Sequence, residues 1–454
     1  MRIFAVLSAF AGVASAIRLP PQIRSTGSPH VVNFEVRRAL RSNNPLLNGS
    51  IANLGFQSYV TNVRVGVRNF TLSLDTGSSD LWVYTSKSPS VVNLTDLSLN
   101  LTNGIGSAVG VVAYAPVAID AYNITNQAIL IANQTEEIDG QGVLGLGFDS
   151  NSSIYNATGN SSGAVTPLSN IFALNASAAN ASASNASASN ASRTSSNFIG
   201  LDLTRAPDGR NSSIGGTFTI SSYLSNFSAV ANATRIPIMP NATGWQIPVG
   251  GVFVNGTAYN VSQDAPDGGN ATALIDSGTS YAVVPQTLSN LIYQIIPGAK
   301  ACPLGDGQVW LVPCLGTSNV TFEFGGEQFP VHPLDMTNVQ IYTQNSTRYA
   351  ACIGVFTSPA SVPTLGELPI YILGDSFMRN VYTSFNFGNN TLAGNFSSSG
   401  TGPSVQFLSK SNDTNAIYTE FLTQRNQTLS SLNASTIDPN SIDCQSVEPL
   451  FNDA

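Results

Sequence analysis

Two lobes built around a repeated strand-and-turn device are the fold class this sequence predicts, and three observations predict it. The chain has 454 residues, roughly three or four times the usual single-domain length, so it divides instead of enlarging one core. A strand pattern running into Asp-Thr/Ser-Gly occurs twice, about 200 residues apart. Hydrophobic residues make up 42% of the chain, enough to fill cores, while charged residues supply only 10%, well below the roughly 25% of ordinary soluble proteins.

The elements follow in order. Residues 1–16 combine Arg2, an apolar run and Ala14-Ser15-Ala16, the pattern of a secretory signal peptide and too short an apolar run for a membrane anchor. Residues 17–50, with Arg18, Arg24, Arg37, Arg38 and Arg41, read as a short basic leader before an N-terminal lobe over 51–238. Within that lobe, 173–196 is a low-complexity tract in which Asn175, Asn180, Asn185 and Asn190 recur every five residues. It offers no apolar face and reads as a glycosylated surface loop. A C-terminal lobe follows over 239–410, and 411–454 is a sequon-rich extension.

Composition excludes several chemistries. A net charge of −8 and few lysines argue against nucleic acid, whose phosphates need clustered cations. With two histidines, His30 and His332, and four cysteines, neither a His/Cys metal site nor a His-based triad is expected, so no metal and no cofactor are implied. About 27 of about 44 asparagines head an Asn-x-Ser/Thr sequon, threefold more than chance, so N-glycans explain how a charge-poor surface stays hydrated. Cys302, Cys314, Cys352 and Cys444 form an even set, which on the secretory route means two disulfides with three pairings open.

The duplicated device carries the chemistry. Phe70-Thr71-Leu72-Ser73-Leu74 alternates like a half-buried strand and enters Asp75-Thr76-Gly77-Ser78-Ser79; Thr272-Ala273-Leu274-Ile275 enters Asp276-Ser277-Gly278-Thr279-Ser280. Each copy is followed by an apolar pair and glycine, Val143-Leu144-Gly145 and Ile372-Leu373-Gly374. One Asp-Thr-Gly alone is a common turn; two, each after a strand, are a site. Two carboxyls placed together cannot both ionise, so the pair shares a proton and serves as acid and base at once. Thr76 and Ser277 suit hydroxyl bonds that lock the loops together. Ser78 and Thr279 suit the outer carboxylate oxygens, and Gly77 and Gly278 let backbone amides approach.

On these motifs the sequence resembles the pepsin-like aspartic endopeptidases over roughly 55–405, in DTGSSDLWV (75–83), LIDSGTSYAVVP (274–285), GVLGLGF (142–148) and YILGDSFMRNVYTSF (371–385). The resemblance implies a mostly β, bilobal pepsin-like fold with the active-site cleft between two pseudo-symmetric lobes. It implies Asp75 and Asp276 as catalytic dyad, an activated water, and extended peptide substrates. Trp82 falls where the family keeps a tryptophan behind its flap. Asn103, followed by Gly104, stands where the flap tyrosine normally bonds that tryptophan, and Asn is too short to do the same. Cys314 and Cys352 match positions the family bridges, which leaves Cys302 with Cys444. A basic prosegment that covers the cleft until acid releases it is also implied, with Arg37-Arg38 as a processing site.

The expectation is a monomeric, N-glycosylated, secreted acid endopeptidase acting on proteins, without a membrane anchor, the vacuole being the alternative destination. A second reading is a catalytically weakened peptide-binding glycoprotein, for which Asn103 is the argument. A two-carboxylate glycosidase would lack the flanking Thr/Ser-Gly pattern.

Overall fold

Val, Ile, Phe and Thr in alternation make strands the dominant element. A computed structural model describes residues 31–38, 51–53, 57–86, 92–103, 106–135, 141–183, 197–205, 215–265, 271–304, 307–344, 346–358, 371–388 and 402–444. The signal segment, most of the leader, Gly104 and residues 184–196 of the Asn-rich tract lie outside them.

The N-terminal lobe contains β3 (Gln57–Val65), β4 (Arg68–Asp75), β5 (Leu81–Tyr84), β6 (Asn93–Asn103), β7 (Gly106–Ile119), β8 (Tyr122–Thr135) and β9 (Gly142–Gly145). β4 ends in Asp75 and runs parallel to β9, which pairs antiparallel with β5. The second lobe repeats this arrangement: Thr272–Ile275 runs parallel to Tyr371–Leu373, which pairs antiparallel with Ala282–Val283. The recurring apolar-apolar-Gly element is therefore the strand that closes each aspartate loop. Its glycine is required by close approach, because a Cβ on Gly145 would strike the Ser79 backbone and one on Gly374 the Thr279 carbonyl.

The lobes share a sheet. Its thirteen strands run from Ile236–Pro237, Ser404–Ser409 and Val381–Asn386 through β10 (Phe198–Leu203), β11 (Gly216–Ile220) and β1 (Val31–Arg38) to β3, and end at the edge strand β6. β1 is a finding beyond the sequence reading: this part of the leader, Arg37 and Arg38 included, inserts between β11 and β3, with Phe34 opposite Gly216 and Val36 opposite Tyr59. Its Val-Val-x-Phe-x-Val pattern has strand propensity, and the two neighbours leave a slot that a strand must fill to satisfy their backbone groups.

One continuous core runs through both lobes. Its hub is Trp245, fully buried, whose indole N–H donates to the Leu146 carbonyl at 3.2 Å and whose ring lies 4.4 Å from that of Phe148 and 4.7 Å from that of Phe387.

One expectation about the appendages changes, and the tail proves helical. The Asn-rich tract does not begin as a loop: the helix Pro167–Ala183 runs into it. Leu168, Ile171 and Phe172 anchor its first turns in the core, and alanine-rich sequence then propagates a helix already nucleated. The tail is likewise ordered, as the helix Thr414–Ser431 capped by Asp413, which accepts from the Asn415 and Ala416 amides. It buries Ile417, Phe421, Arg425 and Thr428 against the second lobe. Arg425, wholly enclosed, donates to Thr337 Oγ1 at 2.9 Å and to the Cys314 carbonyl at 3.3 Å. The cysteines pair as Cys314–Cys352 and Cys302–Cys444, the latter tying the tail to the lobe across 142 residues.

Candidate active site

Each aspartate is held by its own loop in the same way. The Gly77 amide donates to Asp75 Oδ1 at 2.7 Å and the Ser78 hydroxyl to Asp75 Oδ2. The Gly278 amide donates to Asp276 Oδ1 at 2.8 Å and Thr279 Oγ1 to Asp276 Oδ2 at 2.7 Å. A Cβ on Gly77 would lie 2.6 Å from Asp276 Oδ1, and one on Gly278 would collide with Asp75. The inner face of each carboxyl thus packs on the opposite loop, which brings the two carboxyls side by side.

The loops are locked beneath the carboxyls by reciprocal bonds. Thr76 Oγ1 donates to the Ile275 carbonyl at 2.8 Å and accepts from the Ser277 amide at 2.9 Å. Ser277 Oγ donates to the Leu74 carbonyl at 2.9 Å and accepts from the Thr76 amide at 3.1 Å. Thr76 is fully buried and Ser277 nearly so, so these four bonds are shielded from water and fix the spacing of the pair.

Burial first, and the Asp276 charge second, push Asp75 up to about 8, against the lowering effect of the Ser78 and Gly77 bonds. A proton therefore stays on the pair well above the ordinary carboxylate range.

Other groups brought to the site are less visible in sequence. Asp375, in the Leu-Gly-Asp segment of the second closing strand, is buried with one carboxyl oxygen lacking a hydrogen-bond partner. Burial raises it well above the ordinary range and Asp276 raises it further, although Arg379 opposes this. Its place just after the second closing strand, in the Gly374-Asp375-Ser376 segment that opens a short helix, was its only sequence signal. Asp335 accepts from Arg205 Nε at 3.0 Å and from Arg379 Nε at 2.6 Å. Asp80 accepts from the Ser152 hydroxyl and the Ser153 and Ile154 amides at the start of a short helix, which positions β5 and with it Trp82.

Trp82 is 6% exposed, packed with Leu101, Val112 and Leu130, and its indole N–H has no hydrogen-bond partner among the described residues. Asn103 is the last residue of β6, paired with Gly106 across the hairpin; its side chain and Gly104 are outside the described residues. Among the described residues no cluster of His, Cys, Asp and Glu suits a metal ion, and no helix is long and apolar enough to cross a membrane.

The duplicated loops, shared sheet and paired carboxyls agree with three kinds of comparison. The chain is 27% identical to an aspartic-type endopeptidase of Aspergillus fumigatus over 74% of its length, a match that spans 65% of that relative. It is 25% identical to the major aspartyl peptidase 1 of Cryptococcus neoformans, covering 79% of this chain and 73% of the relative. With bovine pepsin A the identity is 26%, over 72% of this chain and 80% of the other. The crystal structure of an aspartic proteinase from Irpex lacteus superposes with a TM-score of 0.56 at 16% identity, covering 85% of this chain and 98% of that one, which shows a pepsin-like fold. A profile described as eukaryotic aspartyl protease matches residues 58–394, and the chain belongs to that family.

Proposed function

We propose that the chain is an aspartic endopeptidase that cuts proteins in acid by a water activated between Asp75 and Asp276. The observation that carries this reading is the symmetric support of the two carboxyls, one pushed up to about 8. The ionised carboxyl takes a proton from water as its oxygen bonds the scissile carbonyl carbon. The protonated carboxyl polarises that carbonyl, and proton return to the nitrogen then releases the amine as the C–N bond breaks. Thr76 and Ser277 position the dyad; Ser78 and Thr279 orient the outer oxygens.

The signal-like segment and the sequons support secretion as an N-glycosylated monomer, with the vacuole as the other destination. None of the sequon asparagines with described side chains is buried, whereas Asn380, outside a sequon, is. Arg37-Arg38 lies at the end of β1, so processing there would sever a strand of the shared sheet.

The test is cleavage of a denatured protein at about pH 3–5, blocked by a statine-type transition-state mimic and abolished in Asp75→Asn. Activity surviving in that variant would overturn the dyad. The Trp82 N–H, without a partner among the described residues, favours a second reading, a weakened peptidase whose flap lacks its usual tether, in which the mimic binds but turnover is slow.

A further inference from the structure

Trp245 lies outside the motifs that carry the two aspartate loops, yet its polar groups reach both. It immediately precedes the strand Gln246–Pro248, which pairs with Thr272–Ile275, the strand leading into Asp276. The Trp245 carbonyl accepts from the Ile275 amide at 3.1 Å. On its other side, the indole N–H donates to the Leu146 carbonyl at 3.2 Å, and the Leu146 amide donates to the Asp75 carbonyl at 2.7 Å. The segment that carries Leu146 is strapped along the first loop: the Gly145 amide donates to the Asp80 carbonyl at 3.0 Å and the Gly147 amide to the Ser78 carbonyl at 2.9 Å. Wherever the indole holds Leu146, the Asp75 loop follows.

These contacts close a ring. Thr76 Oγ1 donates to Ile275, Ile275 to Trp245, Trp245 to Leu146 and Leu146 to Asp75, which is bonded covalently to Thr76. The ring passes through Asp75 on one side and through the residue before Asp276 on the other. Thr76 and Ser277 join the loops through short side chains that touch the facing backbone. The indole instead spans a gap, and it is a rigid plane. Phe148, Phe385 and Phe387 hold that plane, with ring centroids 4.4, 5.0 and 4.7 Å from it. Trp245 and Leu146 are both fully buried, so water cannot readily replace the donor if it is lost.

We infer that Trp245 is a positioning residue for the dyad, its indole N–H setting the distance of the Asp75 loop from the Asp276 loop in addition to the Thr76 and Ser277 bonds. The inference rests on the peptidase reading above and deepens it. Two consequences follow from the physics of paired carboxyls. Attack by a water held between them tolerates little misplacement, so a slack ring lowers turnover. The mutual repulsion that spreads their apparent pKa values weakens as they separate, so the pH range in which the pair holds a single proton narrows. Substrate affinity is not involved, because Trp245 has no exposed surface with which to touch a peptide.

The test uses the full secreted chain and one hydrophobic peptide substrate, and compares two variants. Trp245→benzothienylalanine puts sulfur in place of the indole N–H, keeping the shape of the ring while removing the donor. Phe387→Leu keeps the donor and loosens the packing around it. In the first, kcat should fall about tenfold or more with KM unchanged within about twofold. Its bell-shaped pH profile of kcat/KM should narrow by about half a pH unit or more. Phe387→Leu should lower the thermal midpoint while kcat stays within about twofold and the bell keeps its width. Wild-type kcat and bell width in the sulfur variant overturn the inference. An equal loss of kcat in both variants also overturns it, since packing and not the N–H would then be responsible. If the wild type cleaves no peptide in acid, the peptidase reading fails and the positioning role with it; an active wild type with an unaltered sulfur variant sinks the positioning role alone.

Discussion

Arg205, at the end of β10 in the first lobe, and Asp335, in the second, form an ion pair across the lobe boundary, Nε to Oδ2 at 3.0 Å, with Asp335 1% exposed. Arg379 binds the other carboxyl oxygen at 2.6 Å and Asn380 Nδ2 donates to Oδ2 at 3.1 Å. Burial alone would raise Asp335, but the two guanidiniums outweigh it and hold its carboxyl well below the usual range.

This pair should matter in acid. Asp335→Asn leaves two arginines facing a neutral group and should cost about 3–5 kcal/mol near neutral pH, measured by urea unfolding. The depressed carboxyl stabilises fully above the unfolded value of about 4, and the benefit shrinks as pH falls below it towards the folded value. The gap between wild type and variant should therefore narrow at about pH 3; a constant gap would count against the linkage.

The locking hydroxyls give a separate prediction. Thr76→Ala removes one donor and one acceptor beneath the dyad, leaving the Ser277 amide unpaired, and should destabilise the fold by about 1–3 kcal/mol. Because carboxyl spacing loosens, kcat should fall about tenfold or more with KM little changed. Ser277→Ala should behave alike, as its bonds mirror those of Thr76. Steady-state kinetics on one peptide would show whether the two variants differ.

His332 predicts a loss of stability on acidification. It is 4% exposed, its Nδ1 accepts from the Leu334 amide at 3.0 Å, and burial, with Arg205 second, lowers it to about 4 although Asp335 and Glu420 oppose the shift. A lowered histidine means the unfolded chain binds the extra proton first. Stability should drop between about pH 6.5 and 4, by up to about 3 kcal/mol. His332→Gln should flatten that slope in denaturant titrations, and an unchanged slope would refute it.

The flap supplies the fourth prediction. Asn103→Tyr restores the phenol that the family resemblance implies for the flap, an acceptor for the Trp82 N–H that lacks one among the described residues, and kcat/KM on a hydrophobic peptide should rise about tenfold. A value at or below wild type would show that the missing tether does not limit this enzyme.

The aspartate loops were legible because their signal is local. A strand pattern, an Asp-Thr/Ser-Gly turn and a later apolar pair with glycine are each written in consecutive residues, and duplication turned weak matches into a site. The role of Gly145 and Gly374 was not, since the reason they lack a Cβ is a backbone brought close by the fold. The helix entering the Asn-rich tract was masked by sequence that carries no apolar stripe beyond Phe172. In the tail, two apolar residues and an arginine, Ile417, Phe421 and Arg425, were too sparse to announce a docked helix.

The sequence by itself determined a two-lobed protein with one aspartate per lobe and a charge-poor, sequon-rich surface, because periodicity, turn chemistry and composition are properties of neighbouring residues; the altered flap followed from the family resemblance. Only the tertiary structure decided that β1 completes the shared sheet, that Arg205 reaches Asp335 across 130 positions, and that Asp375 is buried with its carboxyl raised above the ordinary range. Those depend on burial and on charges distant in the chain, and the desolvation that sets their energies exists only once the lobes have closed around them.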